Sequence, residues 1–423
     1  MVECGARSRL ALDAATTRRS AGYDPPSSRL FPVTGSTPHS PAESLAHGVP
    51  GRRMIGMLCC VMILALLICT LWPFNPFLEN RVRWVPGTSG IAFDGAGVVW
   101  STAPLRFQGM EGSESCTLEL LLQPASVESV HTILGFYSPN SPKQFLVRQW
   151  TDGLLVSHAL VGARSVTRAT KFDVDHVFHR GRLFLLTIAS GPTGTAVYLD
   201  GRAAQFFPRF RIPQNELSGQ IVLGTSPTDY QPWSGQIRGL AIYSRELASA
   251  DVFRHYRDWT STGVPPPELN GAVARYTFTE ARGREIHNEV AAEPDLEIPA
   301  RFSVPHKAFL QSPRKEFTAD WPYASDVLMN IAGFVPLGLL IYSYWAWSKN
   351  PQRALLCTVL AGGFLSLVIE VLQAYIPRRI SGMTDIITNT LGTGVGALIA
   401  QSNLARSVLG RLRLIPPHDG STR

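Results

Sequence analysis

The chain has few charged residues, and few of its cysteines could pair. Charged side chains make up 17% of its 423 residues, against roughly 25% in soluble globular proteins. Of its six cysteines, four lie in or beside strongly apolar segments, Cys4 lies in a polar tail, and Cys116 has no partner in the middle of the chain. These features exclude a disulfide-linked scaffold and a soluble single-domain enzyme.

Motifs for nucleic acid, metals and common catalytic sites are also missing. The 39 Lys and Arg exceed the 32 Asp and Glu by seven, but no basic run carries interleaved aromatic residues, so we expect no nucleic-acid partner. The ten histidines form no H-x-x-x-H or H-E-x-x-H pattern, and the only closely spaced cysteines are Cys59 and Cys60. No G-x-S-x-G or Walker loop occurs. We therefore expect no cofactor, apart from calcium as considered below.

The first long apolar run follows a polar N-terminal tail. Residues 1–53 are rich in Pro, Ser, Thr, Ala and Arg and predict a disordered cytoplasmic extension, with Met54 as an alternative translation start. Met54–Trp72 holds no charged residue and can cross a hydrocarbon core of about 30 Å. Because no small-residue cleavage site follows, we predict an uncleaved transmembrane helix over residues 54–73 rather than a signal peptide.

Three further apolar segments near the C-terminus predict transmembrane helices over residues 326–347, 354–376 and 383–400. Basic residues beside the spans favour the cytoplasmic side, and they can gather there only if the chain has four spans, which leaves Arg378 and Arg379 outside. Both termini are then cytoplasmic, with a basic tail over residues 401–423. Residues ~74–325 are extracytoplasmic.

Most of that extracytoplasmic segment predicts β-structure. Short apolar or alternating runs recur between Gly, Pro, Asp and Ser breaks, as in residues 116–124, 182–190 and 236–244. This spacing predicts a two-sheet sandwich over residues 90–262, with one short helix at 245–259. Residues 263–325 form an extracytoplasmic connector, of which the part up to 320 is a candidate to pack back onto the sandwich.

Two motifs in the sandwich point to a known fold. The first is a hairpin of Tyr-x-Asp-Gly type, and the second is a late strand that leads into the short helix; their residues are Tyr198, Asp200 and Gly201, then Gly235, Ile237 and Tyr243. The pattern resembles the laminin-G/concanavalin-A-like jelly-roll domain. The resemblance implies a lectin-like sandwich that binds a glycan or glycoprotein. It also implies a possible calcium site, for which Asp200 is the candidate ligand, although a turn role is the simpler interpretation.

The membrane segments carry a second pattern. Asp326, Asn330, Phe334, Pro336 and Gly338 come first, then Glu370, Gln373, Arg378, Arg379 and Ser381, then Asp385, Asn389, Gly392 and Gly396. This order resembles the VanZ-like family over residues 326–400, and the first span resembles that family's first helix. The resemblance implies a bacterial inner-membrane protein with a role in the cell envelope and a link to glycopeptide tolerance. The expected architecture is a multi-domain protein, an all-β jelly-roll sandwich inserted in a four-helix transmembrane unit.

Helical spacing gathers the polar side chains of these spans. Asp385 and Asn389 share a helical stripe with Gly392 and Gly396, and Glu370 lies about 9 Å below the outer end of its span at 1.5 Å per residue. Ionisable groups in hydrocarbon are costly and must face one another or water. The predicted membrane pocket comprises Asp326, Asn330, Glu370, Gln373, Arg378, Arg379, Asp385 and Asn389. The predicted helix-packing residues are Gly338, Gly392 and Gly396.

Two interpretations of this cluster remain open. The polar side chains could only hydrogen-bond across helices while the glycines allow close packing, or they could form an outward pocket that holds a polar head group or moves a proton. Arg378 and Arg379 suit a phosphate and equally suit an anchor to lipid head groups.

Sites in the sandwich are less clearly indicated. Glu111, Glu114 and Glu119 are grouped, as a glycosidase would require, but they straddle a loop and a strand start, so we do not expect hydrolysis there. Trp150, Tyr230 and Trp233 are candidates to stack on sugars, with core packing the safer assignment for at least one. His255 is expected to be a packed helix residue.

The sequence thus favours an envelope membrane protein. In the first hypothesis the sandwich binds an envelope glycan or glycoprotein, and the membrane unit handles or senses a lipid-linked intermediate. In the second, the chain is a membrane enzyme or transporter that acts at the outer-leaflet pocket, with the sandwich as lid or scaffold. A structural surface protein is a third possibility. The expected partners are membrane lipid and a glycan, and the oligomeric state is open.

Overall fold

The computed structural model describes residues 48–107, 115–128, 130–141, 143–160, 170–261, 270–345, 350–412 and 415. The strands are β1 Val82–Trp84, β2 Ile91–Asp94, β3 Val99–Ser101, β4 Cys116–Pro124, β5 Val130–Tyr137, β6 Lys143–Trp150, β7 Gly153–Leu160, β8 Thr170–Val174, β9 Phe184–Gly191, β10 Gly194–Leu199, β11 Arg202–Phe207, β12 Gln220–Leu223, β13 Ser234–Tyr243, β14 Ala272–Tyr276, β15 Glu285–Ile286 and β16 Leu296–Glu297. The helices are α1 Gly48–Leu71, α2 Gln214–Leu217, α3 Ser249–Ser261, α4 Pro313–Glu316, α5 Trp321–Trp345, α6 Pro351–Ala374, α7 Met383–Gln401 and α8 Asn403–Arg411.

The strands form two antiparallel sheets. The first has the order β1-β2-β13-β4-β9-β10-β11, with β14 also paired to β13, and the second has the order β15-β16-β3-β12-β5-β6-β7-β8. Alternation along the strands sends one set of side chains into a shared core. In β6, for example, Phe145 and Val147 join the buried cluster that also holds Leu120 of β4 and Ile188 of β9. The predicted two-sheet sandwich is therefore present.

The connector completes both sheets. Tyr276 of β14 pairs with Leu240 of β13 in the first sheet, and Leu296 of β16 pairs with Ser101 of β3 in the second. The sandwich consequently takes in strands from residue 82 to residue 297, beyond the predicted bounds of 90–262.

Helix α3 covers the outer surface of the first sheet. It begins at Ser249, four residues later than predicted, and buries Val252, His255 and Trp259. Val252 and Trp259 pack with Leu121 and Tyr243 of the sheet in a second apolar cluster.

Three helices are long and apolar enough to cross a membrane. Among the described residues they are Gly51–Leu71, Trp321–Trp345 and Pro351–Ala374. The fourth predicted span is also a helix, α7. It is not apolar enough to join these three, because its Asp, Asn, Thr and Gly residues lower its mean hydropathy.

The helix ends differ from the predicted ones. Helix α1 already begins at Gly48, so Arg52 and Arg53 lie inside it rather than in a disordered tail. Helix α5 begins at Trp321, five residues before the predicted start of its span. Part of the predicted basic tail forms helix α8. Residues 1–47, the rest of the predicted N-terminal tail, lie outside the described residues.

The sandwich and the helices meet at one end of the helical unit. There the connector runs beside the turn between α6 and α7. The Gln311 amide donates to the Ser381 carbonyl (3.0 Å), and the Met383 amide donates to the Gln311 carbonyl (2.9 Å). These two hydrogen bonds place α4 beside the start of α7. The cluster described next lies at this position.

Candidate functional site

Carboxylates surround the first turn of α7. Glu370 of α6 is 1% exposed, and its Oε2 accepts the Gly382 amide at 2.8 Å. Glu316 of α4 accepts the Thr384 amide at 3.0 Å. The first amides of a helix have no partner within it, and the helix dipole favours negative charge there. Two buried carboxylates from different elements therefore cap one helix start.

Amide and hydroxyl side chains extend the cluster between the helices. Asn330 of α5 donates to Asp385 Oδ1 of α7 at 2.9 Å. One turn further along α7, Asn389 donates to the Ser366 hydroxyl of α6 at 2.9 Å, and its Oδ1 has no partner in the described part of the chain. Polar side chains from three helices thus meet in one hydrogen-bonded group.

The end of α6 is held by groups from two other segments. Gln373 donates to the Thr70 carbonyl at the end of α1 (3.0 Å). The Lys307 ammonium of the connector donates to the carbonyls of Gln373 (2.9 Å), Ala374 (3.0 Å) and Ile376 (2.7 Å). A lysine at this position satisfies the last carbonyls of the helix. Burial lowers the pKa of Lys307 to about 8, and the nearby Glu370 charge opposes that shift.

The two arginines lie at the rim of the cluster. Arg378 is exposed, and its Nε donates to the Tyr230 hydroxyl (3.1 Å) while its guanidinium lies 5.2 Å from the centre of the Tyr230 ring. Arg379 donates to the Trp72 carbonyl (2.7 Å). Tyr230 belongs to a sandwich loop, so Arg378 joins the sandwich directly to the membrane unit.

The structure therefore brings the predicted pocket residues to one end of the helices, but Asp326 stays outside the hydrogen-bonded cluster. Asp326 is exposed, and its side chain makes no hydrogen bond to the described residues. Sequence reasoning missed Lys307, Glu316 and Ser366. Helical spacing could have predicted Ser366, since it lies four residues before Glu370 and so shares its helix face.

The three predicted packing glycines lie where α5 and α7 cross. A Cβ atom at Gly338 would clash with the Thr393 carbonyl oxygen, and one at Gly392 would clash with that of Ile331. A Cβ at Gly396 would clash with the Val335 carbonyl oxygen. The two backbones approach so closely that no side chain fits between them.

In the sandwich, Asp200 and Gly201 form the β10–β11 turn. Asp200 adopts a positive φ of 52°, and its Oδ1 accepts the Leu185 amide (3.0 Å) while its Oδ2 accepts Arg182 (2.7 Å). Tyr198, on the strand before the turn, bonds Ser249 of α3 through its hydroxyl (3.0 Å). Asp200 therefore fixes a turn with both carboxylate oxygens.

The other sandwich motif leads to a buried polar network. Gly235 and Ile237 lie in the first half of β13 beside β2 and β4, and Tyr243 ends the strand. Its hydroxyl donates to Glu119 Oε2 (3.2 Å).

Glu119 is fully buried under α3. It also accepts the Trp259 indole N–H (3.2 Å), and its Oε1 lies 3.0 Å from His255 Nδ1. Glu119 therefore has no access to a substrate, and His255 is packed under the helix. Glu111 and Glu114, the other grouped acids, lie outside the described residues.

The candidate sugar-stacking aromatics occupy different settings. Trp233 is fully buried and donates to Gln149 (2.7 Å), whereas Tyr230 is engaged by Arg378. Trp150 is 46% exposed, with the Lys171 ammonium 5.6 Å from its ring centre. Of the three, Trp150 is the most exposed.

Over the described residues, no group of three or more His, Cys, Asp or Glu is arranged to hold a metal ion. The carboxylates around α7 are instead engaged by backbone amides and Asn330.

Solved structures show only a distant likeness to the chain. A candidate carbohydrate-binding protein from Bacteroides ovatus is 13% identical, with a TM-score of 0.36 over 51% of this chain and 61% of that one. A pentraxin from Limulus polyphemus is 13% identical, with a TM-score of 0.32 over 54% and 95%. The ligand-binding domain of botulinum neurotoxin serotype D, in complex with N-acetylneuraminic acid, is 14% identical, with a TM-score of 0.31 over 43% and 45%.

The chain thus spans less than two thirds of the first and third of these proteins. No curated protein matches the chain by sequence.

A family model matches part of the connector together with helices α4 to α7. The VanZ/LLP1 family model matches residues 277–406. The match starts in the connector, well before the predicted 326, and does not include α1. It contains every residue of the hydrogen-bonded cluster except Thr70, Trp72 and Tyr230. Residues 277–406 of this chain are therefore a VanZ-like domain.

Proposed function

We propose that this protein is a bacterial inner-membrane protein that binds the polar head of a lipid-linked envelope intermediate, while its sandwich binds an envelope glycan or glycoprotein. The observation that carries the proposal is the meeting of polar side chains from α5, α6 and α7 at the sandwich end of the helices, with Arg378 and Arg379 at the rim.

The rim has the chemistry of a phosphate site. A guanidinium group has five N–H donors in a fixed fork that matches phosphate oxygens, and each arginine makes one side-chain hydrogen bond to the described residues. Tyr375 and Ile380 are exposed beside them, so an acyl or prenyl chain could lie against the same surface. A phosphate head with an apolar tail matches both features.

In this proposal the glycan binds to the sandwich. It stands over the head-group end of the helices and reaches Arg378 through Tyr230, so a glycan attached to the lipid would extend toward it. Trp150 offers an exposed ring for stacking on a sugar. A calcium ion in the sandwich loops is part of the proposal, so glycan binding should be measured with and without calcium.

The test uses the full chain in lipid nanodiscs and a polyprenyl diphosphate as probe. We expect saturable binding that weakens at least tenfold, about 1.4 kcal/mol, in Arg378→Gln/Arg379→Gln. Arg282→Gln, an exposed arginine of the connector, is the matched control. Equal binding of the phosphate-free polyprenol, or unchanged binding by the double variant, would contradict the proposal.

The buried Glu370 and the half-buried Asp385 favour a second candidate, a membrane enzyme or transporter with the sandwich as lid or scaffold. Glu370 and Asp385 lie beside the rim in a setting that could exchange protons. In cells, Glu370→Gln and Asp385→Asn should then lose tolerance to a glycopeptide antibiotic at normal abundance. If both variants keep full tolerance, catalysis and transport at the cluster are excluded, whereas head-group binding is not.

A further inference from the structure

The end of the helical unit away from the sandwich is cationic. No Asp or Glu occurs there in residues 48–71, 339–345, 350–369 or 386–412. Its arginines come from the starts of α1 and α6 and from α8: Arg52, Arg53, Arg353, Arg406 and Arg411. One charge sign without counter-charges favours an anionic partner.

Helix α8 is amphipathic and lies across this end. Ser402 ends α7 and caps α8, with its hydroxyl accepting the Ala405 amide at 3.2 Å. Leu409 is the buried side of the helix and packs against Ile55 of α1 and Tyr344 of α5. The helix is therefore fixed to the spans along one edge.

A second apolar stripe on α8 faces away from the protein. Leu404, Val408 and Leu412 recur every four residues, and their exposed fractions are 77%, 46% and 58%. Arg411 lies three residues after Val408 and so beside the stripe, while Arg406 lies on the polar side. A helix with an exposed apolar stripe, one arginine beside the stripe and another on its polar side has the pattern of a helix that lies in a membrane surface.

We propose that α8 lies in the head-group region of the leaflet at the sandwich-distal end and binds anionic phospholipid there. Leu398 and Ile399 near the end of α7 are also exposed, and α8 follows α7 after one residue. Its leucines enter the acyl boundary, and Arg406 and Arg411 contact the head groups. This surface is separate from the proposed head-group pocket at the other end.

Hydrogen exchange of the full chain in nanodiscs tests the proposal. The amides of residues 403–411 are compared in phosphatidylcholine alone and with phosphatidylglycerol added. Each arginine near an anionic surface contributes about a fivefold factor in binding. We therefore expect roughly 25-fold slower exchange with the anionic lipid, and loss of that difference in Arg406→Gln/Arg411→Gln.

Variants of the stripe separate lipid contact from protein contact. Leu404→Gln/Val408→Gln should speed exchange in both lipids, whereas Ser407→Gln, exposed on the same helix, should not. Slow exchange in both lipids that no substitution changes would mean that contacts such as Leu409 hold α8 alone. Protection that rises with protein concentration would mean that a second copy covers the stripe. Either result overturns the proposal.

Discussion

The close crossing of α5 and α7 allows a matched test of helix packing. Gly394 and Gly396 lie two residues apart on α7 but face different surroundings. A Cβ at Gly394 would meet only Val359 Cγ2 at 3.8 Å, an ordinary contact, whereas one at Gly396 would lie 2.8 Å from the Leu339 amide nitrogen and clash with the Val335 carbonyl oxygen. Backbone atoms cannot rotate away from a new methyl group as a side chain can. Gly396→Ala therefore forces α5 and α7 apart.

The magnitude follows from two opposing effects. Replacing a glycine inside a helix by alanine is favourable by roughly 0.5–1 kcal/mol. Overpacking costs about 1–3 kcal/mol, and backbone clashes belong at the upper end. We therefore expect Gly396→Ala to lower the free energy of unfolding by about 2 kcal/mol and Gly394→Ala to raise it by up to about 1 kcal/mol.

The assay is unfolding of the full chain in mixed micelles as the fraction of denaturing detergent rises, followed by far-ultraviolet circular dichroism. The two variants should move the transition in opposite directions. On α5, Gly338→Ala should behave like Gly396→Ala, and Gly333→Ala, with open space around its Cβ, like Gly394→Ala. Equal shifts for both members of each pair would refute the close-packing argument.

Three further predictions concern the sandwich and its junction with the helices. Glu119→Leu leaves the buried Tyr243 hydroxyl and Trp259 indole without an acceptor, so it should cost about 3 kcal/mol in denaturant unfolding, and Glu119→Gln should cost less. Competitive amine labelling should place the pKa of Lys307 near 8, and Glu370→Gln should lower it, because the lost negative charge favoured the ammonium form. Tyr230→Phe removes one hydrogen bond at the junction, so hydrogen exchange in residues 376–382 should speed up about threefold.

The periodic features could be predicted from the sequence. The two-sheet sandwich follows from short alternating runs, and the stripe of Asp385 and Asn389 follows from helical spacing. The pair between Asn330 and Asp385 needed one further fact, the face on which α5 meets α7, which the glycines specify only in part. Asp326 was included in the pocket because it lies four residues before Asn330 at the outer end of the same predicted span, but its side chain is exposed.

The contacts made by the connector could not be predicted. Lys307 and Glu316 lie in an irregular segment without a hydrophobic period, and their partners are 66 or more residues away along the chain, as with Gln373 and Thr384. Nothing in the local sequence distinguishes these two charges from those of an exposed loop. Their roles depend on the chain path that places the connector beside the turn between α6 and α7.

The family match begins in the connector, ahead of α5, and the same contacts tie that segment to the helices. Lys307 donates to the last carbonyls of α6, and Glu316 accepts an amide at the start of α7. The connector therefore supplies hydrogen-bond partners to backbone groups that have none within their own helix. A chain beginning at Trp321 would keep α5, α6 and α7 but lose both groups. We expect it to unfold at a lower denaturing-detergent fraction than a chain beginning at residue 300. If the two chains unfold at the same detergent fraction, residues 300–320 do not stabilise the helices. Their inclusion in the family match then has another cause.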